Sequence, residues 1–243
     1  MSITVVLPAY KEEENLRVLL PQMQTALADL PCESHVLVVD TMSPTDKTAE
    51  VCAENAVQYV NRVGGNNYGD AIRTGIQQSD SEWIVIMDAD GSHNPRDIAK
   101  LYQKATEHHD IVIGSRYIHG GNSHNGLVLK AMSFIVNFTY RIVFHIKAKD
   151  VSNSFRIYRT ERLKPLPLIS ENFDIVEEML ILFSVSYPDF SLAEIPIYFN
   201  KRMHGESKRD LLRFALSYIS SMFRLLKIKF THKRVNHTST TSH

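Results

Sequence analysis

One short segment of this chain spaces its carboxylates for shared work. In WIVIMDADGSHNP an apolar run ends at Asp88-Ala89-Asp90. Two carboxylates two residues apart at a strand end can hold one hard divalent cation, whose open positions accept diphosphate oxygens. The same spacing also occurs in solvated turns, but the position directly behind a strand favours the metal site. His93 closes the segment just before a helix cap, which suits a histidine that holds the loop. The pair His108-His109 has no matching ligand spacing, and Cys32 and Cys52 form no CxxC, so no zinc site is expected. Gly64, Gly65 and Gly69 do not fit GxGxxG, and no GxxxxGK[ST] occurs, which excludes dinucleotide and P-loop readings.

The elements that must position Asp88 and Asp90 follow from the hydrophobic pattern. Ile3–Leu7, His35–Val39, Trp83–Met87 and Ile111–Ile113 read as buried strands. Helices are predicted between them, over Glu12–Ala28, Thr45–Asn55, Tyr68–Gln78 and Pro95–Thr106, the last with Asn94 as N-cap and Pro95 at the first helical position. This alternation predicts a single α/β domain, Rossmann-like, with a mostly parallel central sheet and helices on both faces. Ligands of such sheets sit beyond the carboxyl ends of the strands. Pro8–Tyr10, Asp40, Asp88–Asp90 and Gly114–Tyr117 all follow strands directly, so four polar clusters are expected on one rim. Exposed acids behind neighbouring strands, such as Glu12 and Asp40, can read the N–H groups of a nucleotide base. Glu12 is equally explained as a first-turn acid favoured by the helix dipole.

With 243 residues, 44% of them hydrophobic and 22% charged, the chain is long enough for one domain with a sizeable core. The two cysteines fit a reduced compartment. The first residues read as a strand and lack a basic n-region and cleavage site, so the protein is expected on the cytoplasmic side of a membrane. The formal net charge is zero, yet residues 208–234 hold eight Lys or Arg against Asp210. A basic arm on an acidic body suggests an anionic surface, and its apolar content favours lipid over nucleic acid. Within Asp210–Phe230, Leu211, Phe214, Ala215, Tyr218, Met222, Leu225 and Leu226 form one stripe, which fits either an interfacial helix or a core-covering one. Leu127–Ile146 is apolar but interrupted by Lys130, Asn137, Arg141 and His145, and reads as a packed or interfacial helix. The expected organisation is a domain over 1–208, a basic amphipathic arm over 209–235 and a disordered tail over 236–243.

In order along the chain stand VVLPAYKEEENL, VVDTMSPTDKT, GGNNYGDAIRTGI, MDADGSHNP, IGSRYIHGG, KAMSFIVN, KDVSNSFRIYR and IPIYFNKRMHGESK. This order resembles family 2 glycosyltransferases, and within them the dolichyl- and polyprenyl-phosphate sugar synthases, over about residues 3–208. The resemblance implies a GT-A fold, a nucleotide-sugar donor, and Mg²⁺ or Mn²⁺ bound through Asp88 and Asp90. It implies that Pro8, Tyr10, Glu12, Asp40, Arg73, Asp88 and Ala89 bind the nucleotide sugar, with Asp40 at the base. It further implies that Arg116, Lys130, Ser133, Arg202 and Lys208 bind phosphate groups of donor and acceptor. Cations at these positions let two anionic partners approach each other.

Three residues depart from the family pattern: Thr41 stands where a second acid is usual, Ser92 replaces a Gln that can assist the metal, and Ser154 replaces a glycine. The reaction expected is inverting transfer of a sugar to a polyprenyl phosphate, which needs no protein base. The alternatives are transfer to a hydroxyl of a glycolipid or polysaccharide precursor, with Glu178 as general base, or a nucleotide-sugar-binding protein without turnover. Nucleic-acid binding is not expected, because the arm has few aromatics for stacking.

Overall fold

The computed structural model describes residues 1–124, 126–205 and 211–239, with side chains of the last segment described over 217–231. In chain order the elements are β1 (Ser2–Pro8), α1 (Glu13–Ala28), β2 (Glu33–Asp40), α2 (Thr48–Glu54), β3 (Gln58–Asn61), α3 (Tyr68–Gln78), β4 (Trp83–Ile86), α4 (Asp97–Thr106), β5 (Ile111–Ser115), β6 (Asn122–Ser123), α5 (Leu127–Phe144), β7 (Arg156–Arg159), α6 (Thr160–Leu163), α7 (Ile175–Ser186), β8 (Leu192–Pro196), β9 (Tyr198–Phe199) and α8 (Leu211–Ser239). The main sheet has the order β3-β2-β1-β4-β7-β5-β8, and β6 pairs with β9 separately. Neighbouring strands of the main sheet are parallel except at β7, which runs antiparallel to both β4 and β5.

A sheet covered on both faces reads as continuous apolar runs, because alternate side chains feed two different cores. In β4, Ile84 and Ile86 enter one core while Trp83 and Val85 enter the other. The first core lies under α3, α5, α7 and α8, and the second under α1, α2 and α4. The four strands expected from the sequence are β1, β2, β4 and β5. The sequence reading missed β3, β7 and β8 of the main sheet, and the separate pair β6 and β9. Of these, β3 and β8 are edge strands with half-exposed residues, and β7 begins and ends in arginine. Helix α3 spans the residues predicted, and Asn67 and Asp70 close its first turn as a capping box, with Asn67 N donating to Asp70 Oδ2 at 2.9 Å. Regular helix α4 starts two residues later than expected, at Asp97. Asn94 caps the preceding turn instead, accepting from Arg96 N at 3.1 Å.

The two apolar segments of the second half form α5 and α8. On α5 only Asn137, Tyr140 and Phe144 are buried. On α8, Tyr218 and Leu225 are buried and Met222 and Leu226 pack against the core, whereas Ile219, Phe223 and Phe230 are exposed. The helix thus covers the core with one face and presents apolar groups with another.

Under α8 lies a fully buried polar cluster. Arg156 donates to Tyr158 Oη at 3.1 Å and Val176 O at 2.9 Å, and Glu177 accepts from Tyr218 Oη at 3.1 Å. Burial pushes the Glu177 carboxyl up to about 8, with Arg156 opposing the rise. A folded-state pKa above the ordinary value makes the native protein hold a proton that the unfolded chain releases. This contribution to stability is present below pH 4.5 and is lost as pH rises through about 8. Glu177→Gln, a neutral isostere, is expected to match wild type in thermal melts below pH 4.5 and to melt higher than wild type above about pH 8.

Candidate active site

The strand order reverses between β1 and β4, and a crevice opens there at the carboxyl ends. A cavity of about 500 Å³ fills it. Its walls are Pro8, Ala9, Tyr10 and Glu12 behind β1, Asn66–Tyr68 at the start of α3, Asp88–Asp90 and Ser92 behind β4, and Asn200–Arg202 behind β9. A second cavity of about 60 Å³ adjoins it, lined by Arg116, Ser133, Ser152–Ser154 and the apolar groups of Leu129, Met132, Val136 and Val176. Asp88, Leu129, Phe173 and Phe199 line both, so Asp88 stands at the junction.

Asp88 is held from two sides. Tyr68 Oη donates to its Oδ1 at 2.9 Å and Ser154 Oγ to its Oδ2 at 3.0 Å. The residue that departs from the family's glycine is therefore a hydroxyl donor to the first acid of the pair. Asp90 Oδ1 accepts from Ser92 N at 3.0 Å, and its Oδ2 lies 3.7 Å from Arg202 Nη1. Between the acids and the helix, Gly91 has φ +77°, and a Cβ there would meet Met203 at 2.3 Å. Ser92 Oγ is buried without a hydrogen-bond partner on the wall of the larger cavity. Two carboxylates and this orphaned hydroxyl make an oxygen-only donor set that fits Mg²⁺ or Mn²⁺.

A strap formed by residues 200–204 lies against these acids. Asn200 N donates to Ser92 O at 2.8 Å and Met203 N to Asp90 O at 3.0 Å. Arg202 Nη2 bridges both oxygens of Glu12, at 2.5 and 2.6 Å. Asn15 ties the strap to α1: its Oδ1 accepts from His204 N at 2.8 Å, and its Nδ2 donates to Glu12 Oε2 at 2.6 Å and to His204 O at 3.3 Å. Burial raises the Glu12 pKa, with Arg202 and Asn15 opposing it. On the floor, Arg62 is buried and donates to Asn66 O, Asn67 O and Ala9 O, and burial lowers its pKa.

In the smaller cavity Arg116 pairs bidentately with the fully buried Asp150, Nε at 2.8 Å and Nη2 at 2.7 Å. Its Nη2 also reaches Ser152 Oγ at 2.8 Å and Ser133 Oγ at 3.2 Å. The Nε and Nη2 groups are thus directed to Asp150 and the two hydroxyls, which fixes the guanidinium in the cavity wall. His93 has the structural role read from the sequence: its ring stacks on Phe155 at 4.9 Å and its Nε2 lies 3.1 Å from Asn153 Oδ1.

Pro8, Tyr10, Glu12, Asp88, Ala89, Asp90 and Arg202 come together at the larger cavity, and Arg116 and Ser133 at the smaller one. Four expected site residues do not. Asp40 is fully buried, accepts from Thr41 N at 2.7 Å and Tyr59 Oη at 3.1 Å, has its pKa raised by burial, and lines neither cavity. Arg73 turns to Ser170 O at 2.5 Å and Asp70 at 2.6 Å, so it braces α3 rather than facing a ligand. Lys130 is half-buried on α5 and lines neither cavity. Glu178 is fully buried and accepts from Ile169 N at 3.1 Å, from Ser170 N at 2.8 Å and from Arg224. Glu178, taken up by these donors, lines neither cavity. Lys208 lies outside the described residues. The sequence reading missed Asn15, Arg62, Asp150 and Phe173, since nothing in their local spacing marks contacts made across the fold.

Residues 4–166 match the profile of "Glycosyl transferase family 2". The chain is 30% identical over 235 residues to a dolichol-phosphate mannosyltransferase of Pyrococcus furiosus, covering 93% of this chain and 64% of that protein. It thus spans under two thirds of that relative's length. It is 29% identical over 215 residues to a polyprenol monophosphomannose synthase of Mycolicibacterium smegmatis, covering 84% of this chain and 79% of that one. Among solved structures it resembles glucosyl-3-phosphoglycerate synthase from Mycobacterium tuberculosis, crystallised with Mn²⁺, UDP and glucosyl-3-phosphoglycerate. That match has TM-score 0.72 at 17% identity, covering 93% of this chain and 80% of that one. The same synthase with Mg²⁺ and UDP gives TM-score 0.73 at 18% identity, covering 93% and 79%. The chain belongs to family 2 of the glycosyl transferases, and its single α/β domain has the GT-A fold.

One buried amide, that of Asn15, ties the strap to α1. Asn15→Ala is expected to leave the fold intact and to speed tryptic cleavage at Lys201 and Arg202 by about fivefold or more, as hydrogen bonds at the strap are lost. Timed proteolysis followed by mass spectrometry checks this.

Proposed function

We propose that the protein transfers a hexose from a nucleotide sugar to a polyprenyl phosphate, with inversion at the anomeric carbon, at the cytoplasmic face of a membrane. The observation that carries this reading is the pair of adjoining cavities that share Asp88, one lined by acids and the other by an arginine, hydroxyls and apolar side chains. The names of the two relatives, a dolichol-phosphate mannosyltransferase and a polyprenol monophosphomannose synthase, favour the same acceptor class.

In this reading the donor's nucleotide and diphosphate occupy the larger cavity. Asp88 and Asp90, with the buried hydroxyl of Ser92 on the same cavity wall, would hold Mg²⁺ or Mn²⁺. When bound, the cation neutralises charge that develops on the departing diphosphate. Arg202, anchored by Glu12, adds a guanidinium on the same side. Arg116 and the hydroxyls of Ser133 and Ser152 receive the acceptor phosphate in the smaller cavity. A phosphate oxygen attacks the anomeric carbon as the bond to the diphosphate oxygen breaks. The acceptor is already an anion at neutral pH, so no protein group takes a proton, which agrees with a Glu178 saturated by donors.

The apolar exterior supports a membrane-surface position. Among the described residues α5 is long and apolar enough to cross a membrane, yet only 17% of it is buried. One side of it is committed to the domain through Asn137, Tyr140, Phe144 and the cavity wall. The other exposes Leu127, Val128, Phe134, Ile135, Phe138 and Ile142. Exposed Arg141 lies on the same helix, and exposed Lys147 and Lys149 follow it in the chain, each cation contributing roughly 1 kcal/mol near an anionic surface. The helix is read as lying in the interface.

Incubation with a panel of nucleotide sugars, Mg²⁺ or Mn²⁺, and either polyprenyl phosphate or a glycolipid tests the reaction. Radiolabel is expected in the lipid phosphate, whereas label only in the glycolipid would overturn the acceptor assignment. Asp90→Ala is expected to lower transfer by at least about 10³-fold with an unchanged melt, as does a chelator acting on wild type. Phe134→Glu with Phe138→Glu is expected to reduce co-sedimentation with anionic vesicles by about tenfold or more while sparing nucleotide binding.

A further inference from the structure

Among its described residues helix α8 makes polar contacts with α5, where Lys229 reaches Val143 O at 3.1 Å and Tyr140 Oη donates to Tyr218 O at 3.4 Å, and with residues 170–178. Ser217 Oγ donates to Asp174 Oδ1 at 2.8 Å, Tyr218 Oη to Glu177 at 3.1 Å, and Arg224 to Glu178 Oε1 and, at 2.6 Å, to Ser170 Oγ. Glu178 in turn receives the backbone N–H groups of Ile169 and Ser170. Arg224, Glu178 and Ser170 thus form a closed node that fixes residues 169–170 against α7 and α8.

The far side of the same stretch meets the donor cavity. Ser170 O accepts from Arg73 at 2.5 Å, and Glu171 O accepts from Gly69 N at 2.7 Å. The approach is so close that a Cβ on Gly69 would come 2.0 Å from Ser170 O. Two residues further on, the Phe173 ring stacks on Tyr68 at 4.2 Å with the planes 25° apart. Tyr68 is the residue whose hydroxyl holds Asp88 Oδ1. An unbroken series of contacts therefore runs from α8 to the first acid of the pair.

We propose that α8 is part of the active-site scaffold and that Arg224 is a positioning residue, which acts through Glu178 and Ser170 on the 169–173 segment, Tyr68 and finally Asp88. Arginine suits the node because one planar fork reaches a carboxylate and a hydroxyl together, where lysine offers a single point of contact. The helix that exposes Ile219 and Phe223 on its outer side thereby joins the proposed lipid-facing surface to the donor cavity. The role in turnover rests on the transferase reading, but the structural coupling does not.

Two variants of the full chain separate positioning from charge neutralisation. Arg224→Lys keeps a cation for buried Glu178 but loses the fork, and Ser170→Ala keeps the Arg224–Glu178 pair but loses the hydroxyl. Both are expected to melt close to wild type and to raise amide exchange of Gly69 and of the first turn of α3 by about five- to tenfold, as one charge-assisted hydrogen bond is lost. Transfer, read as kcat with the sugar acceptor system saturating, is expected to fall by a similar factor. Wild-type exchange at Gly69 in both variants would overturn the proposal and leave Arg224 as a counter-ion for Glu178. Altered exchange in a protein whose wild type transfers no sugar would keep the coupling and sink the transferase reading instead. Should Arg224→Lys fail to fold, Ser170→Ala alone decides.

Discussion

Asp88 is the point at which the fold, the donor cavity and the acceptor-side cavity meet. It follows the central strand β4, whose register to β1 continues through Met87 N donating to Val6 O at 3.1 Å. A carboxylate there has little backbone freedom, and hydroxyls from Tyr68 and Ser154 fix its side chain as well. Each carboxylate oxygen retains acceptor capacity after one such bond, so the group is oriented without being used up. The two donors come from opposite sides: Tyr68 from the α3 turn and Ser154 from the loop before β7. The positions of α3 and β7 are both expressed at this one atom group.

Charge is managed around that junction by pairing. Glu12 with Arg202 and Arg116 with Asp150 are partly or fully buried pairs, and each partner would be costly to leave alone. Among the described residues Asp88 has no ion pair and Asp90 has only the long 3.7 Å approach of Arg202, while Arg62 and Lys201 line the same cavity. A cation is the partner such a pair attracts. Glu178 is compensated in the same way, by two backbone amides and Arg224.

Helices α5 and α8 give the molecule a two-sided second half. Each sends aromatic groups inward, with Tyr140 and Tyr218 meeting edge to face at 6.4 Å, and each leaves large apolar side chains outside. For α8 the core-covering face is visible in buried Tyr218 and Leu225, while Ile219, Phe223 and Phe230 stay exposed on another face.

Much of the frame was legible in the sequence because it is local. The buried runs of β1, β2, β4 and β5, the capped α3, and the acids behind β4 are set by patterns a few residues long, and the order of motifs marked the family. What the sequence could not supply were contacts between distant residues. Asp40 and Asp88 both follow apolar strands, yet the first turns inward to Tyr59 and the second lies between two cavities. Arg73 and Arg202 both sit in matched motifs, but only the latter reaches a cavity wall. The strand β7 was hidden because its arginines look exposed until the fold supplies carbonyls and a tyrosine for Arg156. Spacing along the chain determines which residues share an element and an edge. The direction in which a buried polar side chain turns is decided by where its hydrogen-bond partners arrive, and those partners come from up to 190 residues away, as Arg202 does to Glu12.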